Sequence, residues 1–134
     1  MKTRYSIGII ASSTVKRRND METSRHMIYI GLNDSESRKQ KYSTELFLSI
    51  LRNVCIGYRV AFSVSELRGG YFHNDKTFVS ENSLCLMLIG TDDAMADEIA
   101  KDLCAFFHQE SVMVIRDTVD CRFISENLQA VNDT

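Results

Sequence analysis

Proline is absent from all 134 residues of this chain, so the commonest stiffener of edge strands and loops is not used. Also absent is any apolar run of the roughly 20 residues that span a bilayer, which excludes a membrane helix. The apolar stretch at Ile7–Ala11 is too short for a signal-peptide core. No cysteine precedes Cys55, which removes a lipoprotein-type anchor. A cytoplasmic location is the resulting expectation, with no membrane partner. No Cys-x-x-Cys pair occurs. Cys55, Cys85, Cys104 and Cys121 each sit among apolar residues, as expected of buried, reduced thiols and not of a disulfide framework. His26, His73 and His108 show no ligand spacing with them, so neither a metal nor a cofactor is expected. Gly69-Gly70 is no phosphate loop, because neither a Lys-Ser/Thr pair nor a helix follows.

What is present is one globular domain. The length suits a single domain, and 44% hydrophobic with 25% charged residues excludes whole-chain disorder. The net charge of −2 is uneven. Residues 1–41 carry nine Lys/Arg against four Asp/Glu, and residues 42–134 carry seven against fourteen. A basic leading segment therefore precedes an acidic body, which is a poor surface for a polyanion. Residues 1–25, with Lys16-Arg17-Arg18, read as an N-terminal arm, either a strand or partly disordered, able to find a protein partner. Residues 126–134 read as a frayed tail.

Between arm and tail a unit is written twice. Ile30-Gly31-Leu32-Asn33-Asp34 closes one apolar run, and Ile89-Gly90-Thr91-Asp92-Asp93 closes another. Met27–Ile30 and Leu84–Ile89 are continuous apolar runs, as in strands covered on both faces. Asn33-Asp34 and Asp92-Asp93 read as helix starts before metal ligands. From about Arg38 helical spacing begins, with Tyr42, Leu46, Phe47, Ile50, Leu51 and Val54 in one stripe and Gly57 as the stop. After the second copy Met95, Ile99, Leu103 and Phe106 make the matching stripe. Tyr58–Ser65 alternates as a strand, Arg68-Gly69-Gly70 breaks it, and His73-Asn74-Asp75-Lys76 makes a hairpin loop. Val112–Ile115 forms the last strand, with a bend at Asp117.

The order βαβ, hairpin, βαβ predicts a ferredoxin-like βαββαβ α+β sandwich over residues 26–125. An antiparallel sheet carries both helices on one face, and an extra hairpin lies between the units. Strands alternate their side chains, so half of each apolar run must point away from the helices. That apolar face predicts a homo-oligomer packed sheet to sheet, or the arm folded across it. Tyr29 is the sole aromatic on the central strands, and no base-stacking surface results, which argues against nucleic acid.

From Ile28 to Phe123 the chain resembles a small bacterial domain family of uncharacterised function. The matching features are Ile30-Gly31-Leu32, the segment from Gly69-Gly70-Tyr71 to Glu81-Asn82-Ser83, and Phe107-His108-Gln109-Glu110-Ser111-Val112. The resemblance implies a ferredoxin-like fold and no particular reaction. Its members often carry an export or lipoprotein leader, where this chain has a basic arm.

The densest polar cluster is Arg68, Tyr71, His73, Asp75, Glu81 and Ser83 around the hairpin. His73, Glu81 and Tyr71 are the catalytic candidates, with His73 and Glu81 as proton carriers. Arg68 and Ser83 are the ligand-binding candidates. No catalytic constellation accompanies them, so a non-enzymatic oligomeric binding or interaction module is the favoured function. The alternative is a small dimeric α+β-barrel-type enzyme with a pocket near residues 68–83.

Overall fold

A computed structural model describes residues 20–126. The expectations for residues 1–19 and for the tail beyond 126 lie outside the described residues. The elements are β1 (Asp20–Gly31), α1 (Thr44–Tyr58), β2 (Ser63–Phe72), β3 (Phe78–Ile89), α2 (Asp93–Phe106) and β4 (Met113–Arg122). The sheet order is β2-β3-β1-β4, antiparallel throughout. This is the ferredoxin-like βαββαβ arrangement. The two strands with continuous apolar runs, β1 and β3, are the central pair. No helix among the described residues is long and apolar enough to cross a membrane.

Strand register assigns every side chain to a face. Ile28 and Ile30 of β1 and Leu84, Leu86 and Leu88 of β3 are fully buried against the helices. They meet Phe47, Leu51 and Cys55 of α1 and Ala96, Ile99, Ala100 and Leu103 of α2 in one core. Burial there pushes the Cys55 thiol up to about 11, so it stays a neutral, unreactive apolar group. The other face carries Arg25, Met27, Tyr29 and Gly31 of β1, Glu81, Ser83, Cys85, Met87 and Ile89 of β3, and their partners on the edge strands. No helix covers it.

The β2–β3 ladder runs from Ser63↔Met87 to Phe72↔Phe78, whereas β1 leaves β3 after Gly31↔Ser83. The hairpin expected between the units is therefore the continuation of β2 and β3 themselves, projecting as a two-stranded arm. Gly69 and Gly70 lie inside β2 and do not interrupt it. β4 is likewise one strand through Asp117.

Three local expectations are corrected. The first helix starts at Thr44, capped by Ser43, whose hydroxyl accepts from the Leu46 N–H at 3.2 Å. Asn33 and Asp34 cap nothing. Asp34 Oδ2 accepts from the N–H groups of Glu36 and Ser37 at 3.0 and 3.1 Å, so the carboxylate closes a turn instead. The helix also runs past Gly57 to Tyr58, and Arg59 in the left-handed region (φ 59°) ends it. Tyr58 belongs to α1 because its hydroxyl donates to Asp102 of α2 at 2.6 Å, a bond that pushes the phenol up to about 12. Finally, Tyr42 and Phe106, spaced as core residues, are 57% and 58% exposed. Phe107, one residue later, takes the core position. The second copy of the repeat does start its helix: Asp92 accepts from the Met95 N–H at 2.8 Å.

Candidate functional site

Where β1 ends and the β2–β3 arm begins, the uncovered face changes character. Its middle is apolar, with Met27, Met87, Ile115 and Met113 around the cross-strand pair Tyr29↔Cys85. A hydrogen bond with Cys85 raises the Tyr29 hydroxyl above its ordinary value. One row toward the arm lie Ser83 and Gly31, and the next holds Glu81 opposite Gly69. Same-face rows are about 7 Å apart along a strand, so Glu81, Ser83 and Tyr29 line a short track.

Glu81 is the unusual group on this track. Its Oε2 accepts the Asn33 N–H at 3.1 Å. Partial burial raises its carboxyl above the ordinary 4.5, and the Asn33 bond offsets part of that rise. Among the described residues it has no basic partner. The ion pairs of the described residues lie elsewhere, the one on this face being Arg25–Asp117 at 2.7 Å. Gly31 leaves the space that the Glu81 carboxylate fills. A methyl on Gly31 would fall on the Glu81 carboxylate, and beside Gly69 nothing lies within 4 Å of where a methyl would point. Asn33 is itself fixed twice more. Its Nδ2 donates to the Ser80 carbonyl at 3.0 Å, and its own carbonyl accepts Gln109 Nε2 at 2.6 Å. The segment that holds Glu81 is thereby tied to both the arm and the end of α2.

The residues expected from sequence are only partly brought together. Glu81, Ser83 and Tyr71 share the uncovered face, with Tyr71 one row beyond Glu81, opposite Val79. Arg68, paired with Asn82, takes the opposite face. His73 lies in the hairpin loop, where its Nδ1 accepts the Asn74 N–H at 2.8 Å and its backbone N–H donates to Thr77 at 2.9 Å. Asp75 is likewise spent on the turn, accepting from the Thr77 N–H at 3.0 Å; Thr77 holds its carboxyl below the ordinary range. His73 and Glu81 therefore do not form a proton-carrying pair. Gly31 and Asn33 shape the site and were not among the sequence candidates. The signal for both was present in Ile-Gly-Leu-Asn, where it reads as a helix start. No group of three or more His, Cys, Asp or Glu side chains that could hold a metal occurs among the described residues.

The fold and this face define a small α+β domain whose uncovered sheet surface has an apolar middle, with the Arg25–Asp117 ion pair toward one end and Glu81 toward the other. No protein-family model and no curated protein matches the sequence. Among solved structures, the chain is similar to a phage SAM lyase in complex with S-methyl-5'-thioadenosine. That likeness has a TM-score of 0.57 and 21% identity, covering 75% of this chain and 90% of the other. A phage SAM lyase in the apo state gives a TM-score of 0.56 and 20% identity, covering 86% and 100%. A CutA1 variant from Pyrococcus horikoshii OT3 gives 0.46 and 12%, covering 78% and 91%. At 20–21% identity the likeness to the two phage structures establishes the fold alone.

Proposed function

We propose that this protein binds a small cationic nucleoside of the S-adenosylmethionine type beside Glu81 and breaks a carbon–sulfur bond in it, acting as a homo-oligomer closed over the uncovered face. The observation that carries this is the half-buried Glu81 carboxylate, which lacks a basic partner among the described residues and fills the space left by Gly31. A carboxylate held away from water gains most from a cation that replaces its lost hydration. A sulfonium or ammonium group on a ligand supplies one. In a lyase reaction of this kind the C–S bond breaks, its electron pair goes to sulfur, and a neutral thioether leaves. The carbon is completed by an electron pair from within the same substrate, so water does not enter. Glu81 orients the cation, and the apolar surface around Tyr29 and Met113 keeps solvent away. The similar structures support the substrate class by what they are named for.

Leu67, Tyr71, Ile89, Met113 and Ile115 are each at least 37% exposed on this face. A patch of this kind favours a second copy over water, and it equally suits an oligomeric binding module without catalysis. One experiment separates the two. The full chain is incubated with S-adenosylmethionine, thioether product is quantified by chromatography, and mass is read by sedimentation. Product formation that falls by about 100-fold or more in Glu81→Gln is the expected result. An oligomer that forms no product leaves the binding module, and product formation unchanged in Glu81→Gln removes Glu81 from the site.

A further inference from the structure

Directly behind the segment that holds Glu81 lies a cleft of about 70 Å³ between the β1–α1 connection and the end of α2. Phe47 and Phe107 form its floor. They are nearly fully buried, with ring centres 4.7 Å apart. Tyr42 and Phe106 flank it, and Leu32, Asp34, Lys41 and His108 complete the lining. Tyr42 and Phe106 are the two aromatics whose spacing assigned them to the core and which instead stand more than half exposed. Tyr42 makes an edge contact with Phe47 at 6.0 Å, and Phe106 makes no ring contact among the described residues. Large aromatic side chains left at a concave place, one of them on the rim of a core cluster, are suited to stacking on a flat ring.

The polar group in the cleft is equally specific. Asp34 is nine-tenths buried. Its Oδ2 takes two backbone N–H groups, while among the described residues its Oδ1 faces Lys41 Nζ at 3.7 Å, too far for a hydrogen bond, with His108 close enough to favour the charged form. That oxygen keeps its lone pairs for a donor. The neighbouring N–H groups hold the Asp34 carboxyl below its ordinary value, so it is an acceptor at neutral pH.

We propose that this cleft seats the amino-bearing edge of a purine, with Tyr42 and Phe106 against the ring faces and Asp34 Oδ1 accepting from the exocyclic amine. This extends the nucleoside reading given above and rests on it. The cleft's size agrees: benzene fills a cavity of about 150 Å³, so half that volume takes a ring edge and leaves the ribose outside.

The test is titration of the full chain with adenosine and with inosine, followed by calorimetry. Inosine replaces the amine by a carbonyl that would face the Asp34 carboxylate. Saturable adenosine binding, at least about tenfold tighter than inosine, is expected. Tyr42→Ala and Phe106→Ala should each weaken it about tenfold, with helix content unchanged because both side chains are exposed. Asp34→Asn should erase the preference. No saturation by ~10 mM adenosine, or unchanged binding in both aromatic variants, overturns the proposal. The two hypotheses fail separately. Adenosine binding that depends on Tyr42 and Phe106, without cleavage of S-adenosylmethionine, removes the reaction and keeps the seat. Cleavage with an unaltered KM in Tyr42→Ala and Phe106→Ala does the reverse.

Discussion

Gly31 ends β1 and Gly90 follows the end of β3, and the two are glycine for different reasons. Gly90 has φ of +80°, a conformation in which any other side chain is strained. A methyl there would meet only Thr23 Oγ1, at an ordinary 3.5 Å. Gly31 is outside that region, and what a methyl there would strike is the Glu81 carboxylate. One glycine serves the backbone and the other serves the site. The residues that follow differ in the same sense. Asp92 caps α2, whereas Asn33 holds Glu81 and Asp34 closes a loop beside the aromatic cleft. Similar pentapeptides thus build a helix start in one half of the fold and the wall of a candidate site in the other.

The sharpest way to break this contrast is Gly31→Ala. The obstructing atom belongs to the far end of a flexible side chain, so the fold survives by swinging Glu81 aside. Misplacing a functional group by about 1 Å can cost around 100-fold in rate. Cleavage of S-adenosylmethionine should drop by that order, with melting temperature little changed. A variant that keeps its rate would show that the position of Glu81 does not matter.

Gly90→Ala should behave in the opposite way. The strained backbone costs about 1 kcal/mol or more, roughly 3–5 °C in a domain of this size, while the rate per folded molecule stays. Asp92→Ala removes a helix cap at a cost of about 1 kcal/mol and should likewise spare activity. Calorimetric melts and a single-substrate assay on the three variants read both axes. Loss of activity in Gly90→Ala at temperatures where it remains folded would erase the distinction between the copies.

Much of the architecture was legible in the sequence because it depends on one-dimensional period. The runs Met27–Ile30 and Leu84–Ile89 read as strands covered on both faces, and their central place followed, although helices cover one face only. What failed were the junctions. Asn33 and Asp34 carry helix-cap chemistry, but the same carboxylate closes a turn when the next residues are not yet helical. Tyr58 continues an alternating pattern into Ser65, yet its hydroxyl reaches Asp102, 44 residues away, and keeps it in α1. Phe106 fits the stripe as well as Phe107 does, and only the geometry of the helix end decides between them. The site was half legible. Glu81, Ser83 and Tyr71 stood out as polar residues near a hairpin, but the Asn33 N–H that holds Glu81 is 48 residues away, a distance that no spacing encodes. β2 keeps its period of two through Gly69-Gly70, which read as a break, and that period puts Arg68 on the face opposite Glu81.

Glu81 should also be separable from the rest of the fold by pH. Its carboxyl is raised above 4.5 by burial, so the folded state holds this proton more tightly than the unfolded chain. Its contribution to stability is therefore complete below about pH 4.5 and is lost as pH rises through the raised value. Glu81→Gln, which keeps an oxygen to accept the Asn33 N–H, should melt about 1–3 °C higher than wild type at pH 7. The difference should vanish toward pH 4. A variant that melts lower at pH 7 would mean that the charged carboxylate has a partner that stabilises it.

The smallest effect distinguishes the last residue of each copy. Asp34 and Asp93 both titrate below the ordinary 3.8, for different reasons. Asp34 is held down mainly by the Ser37 N–H, with that of Glu36 adding to it. Asp93 is held down by Arg116 first and His26 second, each at 2.8 Å from its Oδ1. In both cases the depressed value means stability that is fully present above about pH 3.8 and lost as pH falls through the folded value. Salt separates them. The Arg116 pair is half exposed and is screened within a few ångströms at 1 M salt, whereas fixed backbone N–H groups at hydrogen-bond distance are not. Carboxyl titrations by NMR should show Asp93 moving up toward 3.8 in 1 M salt and Asp34 staying low. Equal movement of the two would mean that Lys41, at 3.7 Å from Asp34, and not the turn, sets the charge beside the aromatic cleft, and Asp34 Oδ1 would no longer be free to receive a base.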